Sequence, residues 1–284
     1  MTLFPPFEPE DEGPRMARMR RQLAERGRQI PVRPLLPNVV TLLALCAGLT
    51  SLRMSIEGRY EVAVLAIGIA AVLDAIDGRV ARILRGTSRF GAELDSLTDF
   101  VNFGVAPAIL LFIWTLGDVR SLGWIAALIF AICCALRLAR FNVALDNPSR
   151  PEWQGNYFTG MPAPAGAMTV LLPVYMEFIG TPHGKWTAPL VLVYMLAIAL
   201  LMVSRVPTFS GKLVGQRIRR DMVLPLFVVL VAVAALFVTY PWETTTVATL
   251  VYLATLPVSW NAWNRREKAD GARAAAAEPG KDAT

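Results

Sequence analysis

Long apolar stretches constrain the fold of this chain more strongly than any other feature of its sequence. Eight of them lie near residues 36–54, 60–77, 92–116, 122–144, 163–180, 187–204, 222–239 and 243–260. A helix needs roughly 20 largely apolar residues to cross the hydrocarbon core of a bilayer. Hydrophobic residues make up 55% of the chain and its mean hydropathy is +0.47, which is high for a soluble domain. The sequence therefore predicts an all-α, polytopic membrane bundle of about eight transmembrane helices.

The distribution of basic residues predicts which ends of these helices face the cytoplasm. If both termini are cytoplasmic, the inside segments hold 24 of the 28 Lys and Arg residues. The outside turns then hold only Arg53, Arg59, Arg120 and Lys185. The positive-inside rule favours this orientation, and it also favours an even number of spans. We expect an integral protein of a prokaryotic plasma membrane, with both termini cytoplasmic.

The two ends of the chain differ from the apolar region between them. Residues 1–34 form a basic leader without a signal peptide, which predicts either an amphipathic juxtamembrane helix or a solvated tail. Residues 263–284 are low in complexity and predict a disordered cytoplasmic tail. The net charge of +6 suits an anionic membrane surface, because no zinc, helix-turn-helix or stacking-aromatic pattern indicates nucleic acid. Three cysteines inside apolar runs predict packing within helices rather than disulfides.

One contiguous stretch of acidic and small residues, 73–108, carries the predicted chemistry. It reads LDAIDGRVARILRGTSRFGAELDSLTDFVNFGVAPA, with the spacing D-x2-D-G-x2-A-R-x8-G-x3-D-x3-D. Asp74 and Asp77 share one helix face at the end of the second span. Asp95 and Asp99 share a face at the start of the third span. A short cytoplasmic turn makes the two spans antiparallel neighbours, so the four carboxylates can converge just inside the membrane.

Four carboxylates at membrane depth need a compensating charge. Ionised groups there are costly, and they usually mark function. A cluster of hard oxygen ligands suits Mg²⁺, Mn²⁺ or Ca²⁺, with room for one or two ions. Helix capping at the interface would explain a single aspartate. It does not readily explain four aspartates at helical spacings with glycines between them, so we favour a metal site.

This string resembles the signature of the CDP-alcohol phosphotransferase family, and every signature position is matched. The resemblance implies a six-helix catalytic core and a Mg²⁺ or Mn²⁺ site. The metal ligands that it implies are Asp74, Asp77, Asp95 and Asp99. Asp95 and Asp99 are the predicted catalytic residues, and the resemblance implies that Asp99 is the general base. It also implies a homodimer.

The same resemblance implies where CDP-diacylglycerol binds. Its CDP part would contact Gly78, Arg82 and Ser88. A Pro-Asn-x-x-Thr motif of the family, which faces the nucleotide lipid, is present upstream as LPNVVT with Asn38 and Thr41. As a motif on its own it is weak, because Pro and Asn can also begin a helix.

Further strings resemble the phosphatidylserine synthase branch of the family. They are SLTDFVNFGVAPA (96–108), RLARFNV (137–143), FTGMPAPAGA (158–167) and SRVPTFSGK (204–212). The resemblance covers roughly residues 36–215, and the catalytic membrane domain is predicted at 35–215, followed by two additional helices in 216–262. Two positions depart from the branch pattern, which has a smaller residue in place of Asn102 and Leu in place of Met161. The implied reaction transfers a phosphatidyl group from CDP-diacylglycerol to L-serine.

Serine carries a carboxylate, so its binding requires a cation near the active site. The candidate contacts for serine or phosphate are Arg137, Arg140, Asn142 and Lys212. Positive-inside topology explains each of the three cations equally well. His183 is the only histidine, and its predicted position in an outside turn indicates a surface role.

Other functions stay open at this point. The same chemistry could act on glycerol 3-phosphate, inositol phosphate or choline. A cation or proton transporter would also use intramembrane acids. The aspartates here lie at the predicted cytoplasmic ends of two helices, and the other half of the chain has no matching acidic pair. Both features disfavour transport. A purely structural scaffold would tolerate replacement of all four aspartates.

Overall fold

The computed structural model describes residues 35–84, 88–145, 157–204, 206–209 and 222–277. Its α-helices are α1 (Leu35–Ile56), α2 (Tyr60–Leu84), α3 (Arg89–Asp99), α4 (Ala106–Trp114), α5 (Ser121–Leu145), α6 (Ala163–Val170), α7 (Leu172–Phe178), α8 (Thr187–Val203), α9 (Val223–Thr239) and α10 (Pro241–Ala277). Each of the eight apolar stretches is helical, so the predicted all-α class is confirmed. The basic leader 1–34 and Lys212 lie outside the described residues.

Helix length and composition support a membrane bundle. Within the described part of the chain, three helical segments are long and apolar enough to cross a membrane: Leu36–Ile56, Arg89–Trp114 and Ser121–Ala144. Thr187–Val203 and Val223–Thr239 are shorter apolar helices. α2 has 25 residues, but it carries Asp74 and Asp77 in its second half. The count of eight spans stays a prediction.

A π-helical segment joins α3 to α4 in one continuous rod. It covers Phe100–Val105 and begins directly after Asp99. The N–H of Ala106 donates to the carbonyl of Val101, five residues back, where an α-helix would bond four residues back. Pro107 follows at once and has no N–H to continue the ladder. Short π segments of this kind are frequent at functional sites.

Small residues let the helices around this rod approach closely. A Cβ on Gly48 of α1 would overlap the side-chain amide of Asn102. A Cβ on Gly104 would lie 3.1 Å from the Cβ of Cys134 on α5. Glycine at a helix crossing is a common way to bring membrane helices together. Gly48 therefore makes room for Asn102, the position where the branch pattern has a smaller residue. The three cysteines, Cys46, Cys133 and Cys134, are free.

A short antiparallel ribbon, absent from the sequence-based prediction, links two helix ends. Its strands are β1 (Tyr157–Thr159) and β2 (Pro207–Phe209). Gly160 follows β1 with a φ of +79°, and a Cβ there would lie 2.6 Å from the carbonyl oxygen of Met202. Only glycine fits here, because other residues rarely adopt this positive φ and a side chain would overlap the Met202 carbonyl oxygen. Thr208 Oγ1 donates a 2.9 Å hydrogen bond to the Gly160 carbonyl.

The last helix, α10, packs against the rest of the bundle through one stripe. At spacings of four and three residues the stripe contains Thr245, Thr249, Tyr252, Leu256 and Ser259. Ser259 Oγ donates a 2.7 Å hydrogen bond to the carbonyl of Pro207, which fixes α10 to β2. By contrast, α9 buries none of its residues.

The end of α10 differs from the expectation for the C-terminal tail. The helix continues to Ala277, through residues 263–277, for which the sequence predicts disorder. Those residues are mostly Ala, Arg, Glu and Lys, which have high helix propensity. The disordered tail at 263–284 therefore stays a prediction.

Candidate active site

Three carboxylates converge where α2 meets α3. Asp74, Asp95 and Asp99 each offer one oxygen, and these oxygens all lie within 4.8 Å of one another. The three side chains are partly buried. Among the described residues, Asp99 Oδ1 has no hydrogen-bond partner although it is buried. This set of hard, closely spaced oxygen donors fits a divalent cation.

The fourth predicted metal ligand, Asp77, has a different environment. It is only 5% exposed, and its Oδ2 accepts a 2.8 Å hydrogen bond from Thr41 Oγ1. The bond joins the start of α1 to the second half of α2. Asp77 lies outside the three-carboxylate cluster, and it lines the cleft next to it.

That cleft has a volume of about 220 Å³ and connects the acids with the predicted nucleotide contacts. Asp77 and Asp95 both line it. All five predicted contacts of CDP-diacylglycerol line it as well: Asn38, Thr41, Gly78, Arg82 and Ser88. Residues from three consecutive helices are therefore brought to one surface.

Local structure explains the shape of the cleft at its open side. A Cβ on Gly78 would meet nothing within 4 Å, so this wall stays open to a ligand. Arg82 Nε donates a 2.9 Å hydrogen bond to the Gly78 carbonyl, which holds the guanidinium beside the opening. A guanidinium in such a position is suited to a phosphate.

The opposite wall is the N-terminus of α3. Ser88 caps this helix, because its Oγ accepts a 3.0 Å hydrogen bond from the N–H of Gly91. A Cβ on Gly91 would lie 2.9 Å from Asn38 Oδ1. The absence of a side chain at Gly91 thus lets α1 and α3 meet at the cleft.

Of the candidate acceptor contacts, Arg137 lies beside the acids. It is partly buried on α5 and interacts electrostatically with Asp74 and Asp99. Its Nε is buried without a hydrogen-bond partner among the described residues. The guanidinium carbon lies 5.7 Å from the centre of the Phe141 ring, a cation–π contact.

The other two described candidates connect helices. Arg140 Nη1 donates a 2.6 Å hydrogen bond to the carbonyl of Val203, at the end of α8. Asn142 Nδ2 donates a 2.9 Å hydrogen bond to Ser96 Oγ on α3. Both bonds hold the C-terminal end of α5 in place, so each residue has a structural role independent of any substrate.

Sequence reasoning missed Tyr252 on α10. Its hydroxyl is buried without a hydrogen-bond partner among the described residues. A lone tyrosine in an apolar stretch is no signal of function. The four-and-three spacing of Thr and Ser residues around it could have indicated a polar helix face turned toward the bundle.

His183 is engaged away from the acid cluster. Its Nδ1 lies 2.8 Å from Glu177 Oε2, and its Nε2 lies 3.2 Å from Thr115 Oγ1. It lines a separate cavity of about 510 Å³ between α4, α7 and α8.

Comparison with known proteins places this site in a family. The family model for CDP-alcohol phosphatidyltransferase matches residues 34–203, a range that contains all the acids and the whole cleft. The chain belongs to the CDP-alcohol phosphatidyltransferase family. A second model, CDP-alcohol phosphatidyltransferase 2, matches residues 221–257, which include α9 and the first part of α10. Membership of the family, together with the apolar helices, makes the chain an integral membrane transferase.

Several curated members of the CDP-alcohol phosphatidyltransferase family resemble the chain over most of its length. The CDP-diacylglycerol–serine O-phosphatidyltransferase of Mycobacterium leprae is 41% identical over 227 residues, which is 78% of this chain and 73% of the relative. That of Helicobacter pylori is 32% identical over 209 residues, 73% of this chain and 86% of the relative. The archaetidylserine synthase of Methanothermobacter thermautotrophicus is 32% identical over 176 residues, 60% of this chain and 68% of the relative.

Proposed function

We propose that the chain transfers the phosphatidyl group of CDP-diacylglycerol to L-serine and releases phosphatidylserine and CMP. The observation that carries this proposal is that the carboxylate cluster adjoins the cleft lined by the five predicted nucleotide contacts, with Asp95 belonging to both. Relatives named for serine transfer in bacteria support the choice of acceptor. The chemistry belongs to phospholipid biosynthesis.

The donor set fits a divalent metal ion. Asp74, Asp95 and Asp99 would hold Mg²⁺ or Mn²⁺, since their oxygens are close together and Asp99 Oδ1 has no partner among the described residues. Asp77 would contribute if a second ion binds at the cleft. When bound, the metal neutralises negative charge that develops on the pyrophosphate and on the CMP leaving group.

The side chains of the cleft would position the nucleotide part of the donor. Arg82 would contact a phosphate, Ser88 and Asn38 would contact the CDP group, and Gly78 leaves space for it. The acyl chains of the donor would stay in the bilayer. Thr41 holds the Asp77 carboxylate at the same surface.

Asp99 would act as the general base in a direct in-line displacement. It would accept the proton of the serine hydroxyl while the hydroxyl oxygen bonds to the phosphorus that carries diacylglycerol. The bond between that phosphorus and the CMP oxygen would break, and CMP would leave with the electron pair. Asp95, four residues earlier on the same face, supports the metal site in this scheme.

The acceptor would be bound by basic and amide groups at the end of α5. Arg137 is the principal candidate, since it is partly buried beside Asp74 and Asp99. Arg140, Asn142 and Lys212 remain proposed contacts for serine or for lipid phosphate. Glycerol 3-phosphate or inositol phosphate would require more clustered cations than the described residues place there, and choline has no carboxylate.

We further propose the setting in which the reaction occurs. The active site and both termini would face the cytoplasm of a prokaryotic cell, and the protein would work as a homodimer in its plasma membrane. The catalytic domain would cover residues 35–215, with two additional helices in 216–262. The two family matches, which end at residue 203 and begin at residue 221, support that division.

Incorporation of radiolabelled serine into lipid by the purified protein tests the proposal. Labelled phosphatidylserine and an equal amount of CMP should form only with both CDP-diacylglycerol and a divalent metal. Asp99→Asn should abolish turnover, and Asp118→Asn, at an exposed acid outside the cluster, should not. Substantial activity in Asp99→Asn would remove it as the base. Faster turnover with another acceptor, or ion flux in liposomes without CMP release, would contradict the proposed function.

A further inference from the structure

A second cavity lies at the end of the bundle away from the carboxylates, and the proposed reaction does not use it. Its volume is about 510 Å³, and its walls come from α4, α7, α8 and the turn between the last two helices. Trp114, the last residue of α4, lines it. A helical rise of about 1.5 Å per residue places Trp114 roughly 22 Å along the rod from Asp99. The cavity is therefore separate from the active site.

Most of the cavity wall is apolar and lies beside a surface that lipid would cover. Leu172, Met176 and Val191 belong to this wall. Leu190 also lines the cavity, and it is 68% exposed on the outer face of α8. Trp186, another lining residue, is 77% exposed just before α8. Tryptophan is enriched where a membrane meets water, so this end of the cavity fits the level of the lipid headgroups.

The polar part of the cavity contains a carboxylate with one oxygen left for a ligand. Glu177 Oε2 lies 2.8 Å from His183 Nδ1, and His183 Nε2 lies 3.2 Å from Thr115 Oγ1. A neutral imidazole satisfies both contacts, because Nδ1–H donates to the carboxylate and Nε2 accepts from the hydroxyl. Glu177 thus keeps its negative charge. Its side chain is 36% exposed, and no donor among the described residues bonds to its Oε1.

The remaining side chains of the cavity favour a positively charged group. The rings of Trp114, Trp186 and Tyr194 line it together with the Glu177 carboxylate. Aromatic rings attract cations through their faces, and a carboxylate attracts them directly. No lysine or arginine belongs to the described residues that line the cavity. An ammonium group therefore matches this site better than an anionic group does.

A basic residue stands next to the cavity in the same turn. Lys185 is exposed, and its neighbours in the chain, Gly184 and Trp186, both line the cavity. A carboxylate within the cavity and an ammonium group beside it are complementary to a headgroup that joins an ammonium group to a phosphate. The apolar walls suit the acyl chain of the same molecule, and the volume is within the range of roughly 300–1,000 Å³ that ligand sites have.

We propose that this cavity binds one phospholipid with a primary ammonium headgroup, such as phosphatidylethanolamine. The ammonium group donates to Glu177 Oε1, the phosphate lies near Lys185, and an acyl chain occupies the apolar part. A quaternary ammonium group has no N–H to donate, and a glycerol headgroup has no cation, so neither matches the carboxylate as well. The inference does not depend on the reaction proposed above.

Lipid binding to the full-length, delipidated protein in detergent tests the proposal. Phosphatidylethanolamine, phosphatidylcholine and phosphatidylglycerol with identical acyl chains would be compared, and native mass spectrometry would measure the stoichiometry and the Kd of each. We expect one tightly bound phosphatidylethanolamine per chain. Its Kd should be roughly 10-fold or more below the other two, as a hydrogen bond to a charged group implies.

Two variants and a matched control locate the bound lipid. Glu177→Gln keeps the size of the side chain and an acceptor for His183 but removes the charge, so the preference for phosphatidylethanolamine should fall roughly 10-fold. Leu190→Trp fills part of the cavity from an exposed position and should also weaken binding of this lipid. Glu243→Gln should change nothing, because Glu243 is exposed at the start of α10 and does not line the cavity.

The results would decide between a specific site and a general lipid crevice. Equal Kd values for the three lipids in the wild-type protein would overturn the recognition of the ammonium group. A preference for phosphatidylethanolamine that persists in both Glu177→Gln and Leu190→Trp would mean that the lipid binds elsewhere, and it would also overturn the proposal. A preference that is lost in these two variants and kept in Glu243→Gln would support it.

Discussion

Thr41 Oγ1 donates a 2.8 Å hydrogen bond to Asp77 Oδ2, and this bond connects α1 to α2 at the wall of the cleft. Both groups are buried, Thr41 at 4% and Asp77 at 5% exposure. Removing the hydroxyl would leave a buried carboxylate oxygen without its donor, which costs more than the bond itself contributes.

Thr41→Val should therefore weaken the enzyme at its nucleotide site. We expect kcat/KM for CDP-diacylglycerol to fall roughly 10- to 100-fold, the equivalent of about 1.5–3 kcal/mol for a hydrogen bond to a charged group. Steady-state assays with serine in excess would measure it. Thr50→Val is the control on the same helix, because Thr50 is exposed and bonds only the Cys46 carbonyl in its own turn. Equal kcat/KM values for CDP-diacylglycerol in the two variants would refute a role of Thr41 at the nucleotide site.

The contact between Gly48 and Asn102 predicts a compensating pair of substitutions. Gly48→Ala should destabilise the protein by about 1–3 kcal/mol, because its Cβ overlaps the Asn102 amide in a fully buried position. Asn102→Ala removes that amide, whose nitrogen and oxygen have no partners among the described residues.

The double variant Gly48→Ala with Asn102→Ala should accordingly regain most of the lost stability. Apparent melting temperatures of the four proteins in detergent would form a double-mutant cycle. Strictly additive effects would show that the two side chains do not compete for the same space.

The carboxylate cluster predicts stabilisation by metal that can be measured without turnover. A ligand that binds only the folded protein raises its stability, by about 2.7 kcal/mol at 100 times the Kd. Mg²⁺ or Mn²⁺ should raise the apparent melting temperature of chelator-treated protein, and Asp95→Asn should abolish most of the shift. Asp118→Asn should keep it, since this exposed acid lies outside the cluster. An equal shift in both variants would mean that the ion binds elsewhere.

Arg137 and Arg140 are predicted to differ in role, the first binding the acceptor and the second holding two helices together. Arg137→Lys should raise the serine KM by about 10-fold or more, since lysine cannot reproduce the planar guanidinium donors. Arg140→Lys should mainly lower the melting temperature, because Arg140 bonds the carbonyl of Val203. Measuring both quantities for both variants tests the assignment, which is wrong if Arg140→Lys gives the larger increase in the serine KM.

Much of the active site could be predicted from the sequence because its residues lie close together along the chain. Asp74, Asp95 and Asp99 come from two adjoining helices, and helical spacing determines which faces they share. The helices themselves were predictable from long apolar runs, which aqueous folds seldom contain. Local periodicity is sufficient to predict a site whose residues are neighbours both in sequence and in space.

The missed features depend on distant contacts or on backbone detail. Tyr252 lies on a helix more than a hundred residues beyond the acids, and it packs against the core of the bundle through contacts that no local pattern records. The hydrogen bond that Asp77 accepts comes from Thr41 on another helix, and no local pattern records this contact. The β1–β2 ribbon consists of three residues per strand, too few for a period-2 signal.

The π segment between Asp99 and Ala106 has a consequence for how this site tolerates length changes. Each residue of a helix turns the chain by roughly 100°, so a wide turn absorbs one additional residue without rotating what precedes or follows it. Deleting one residue within 100–105 would straighten the ladder into an ordinary helix. The acids on α3 and the residues of α4 would then keep their relative orientation, so this short segment should tolerate the loss of one residue better than the α-helices on either side, where a deletion rotates everything beyond it by roughly 100°.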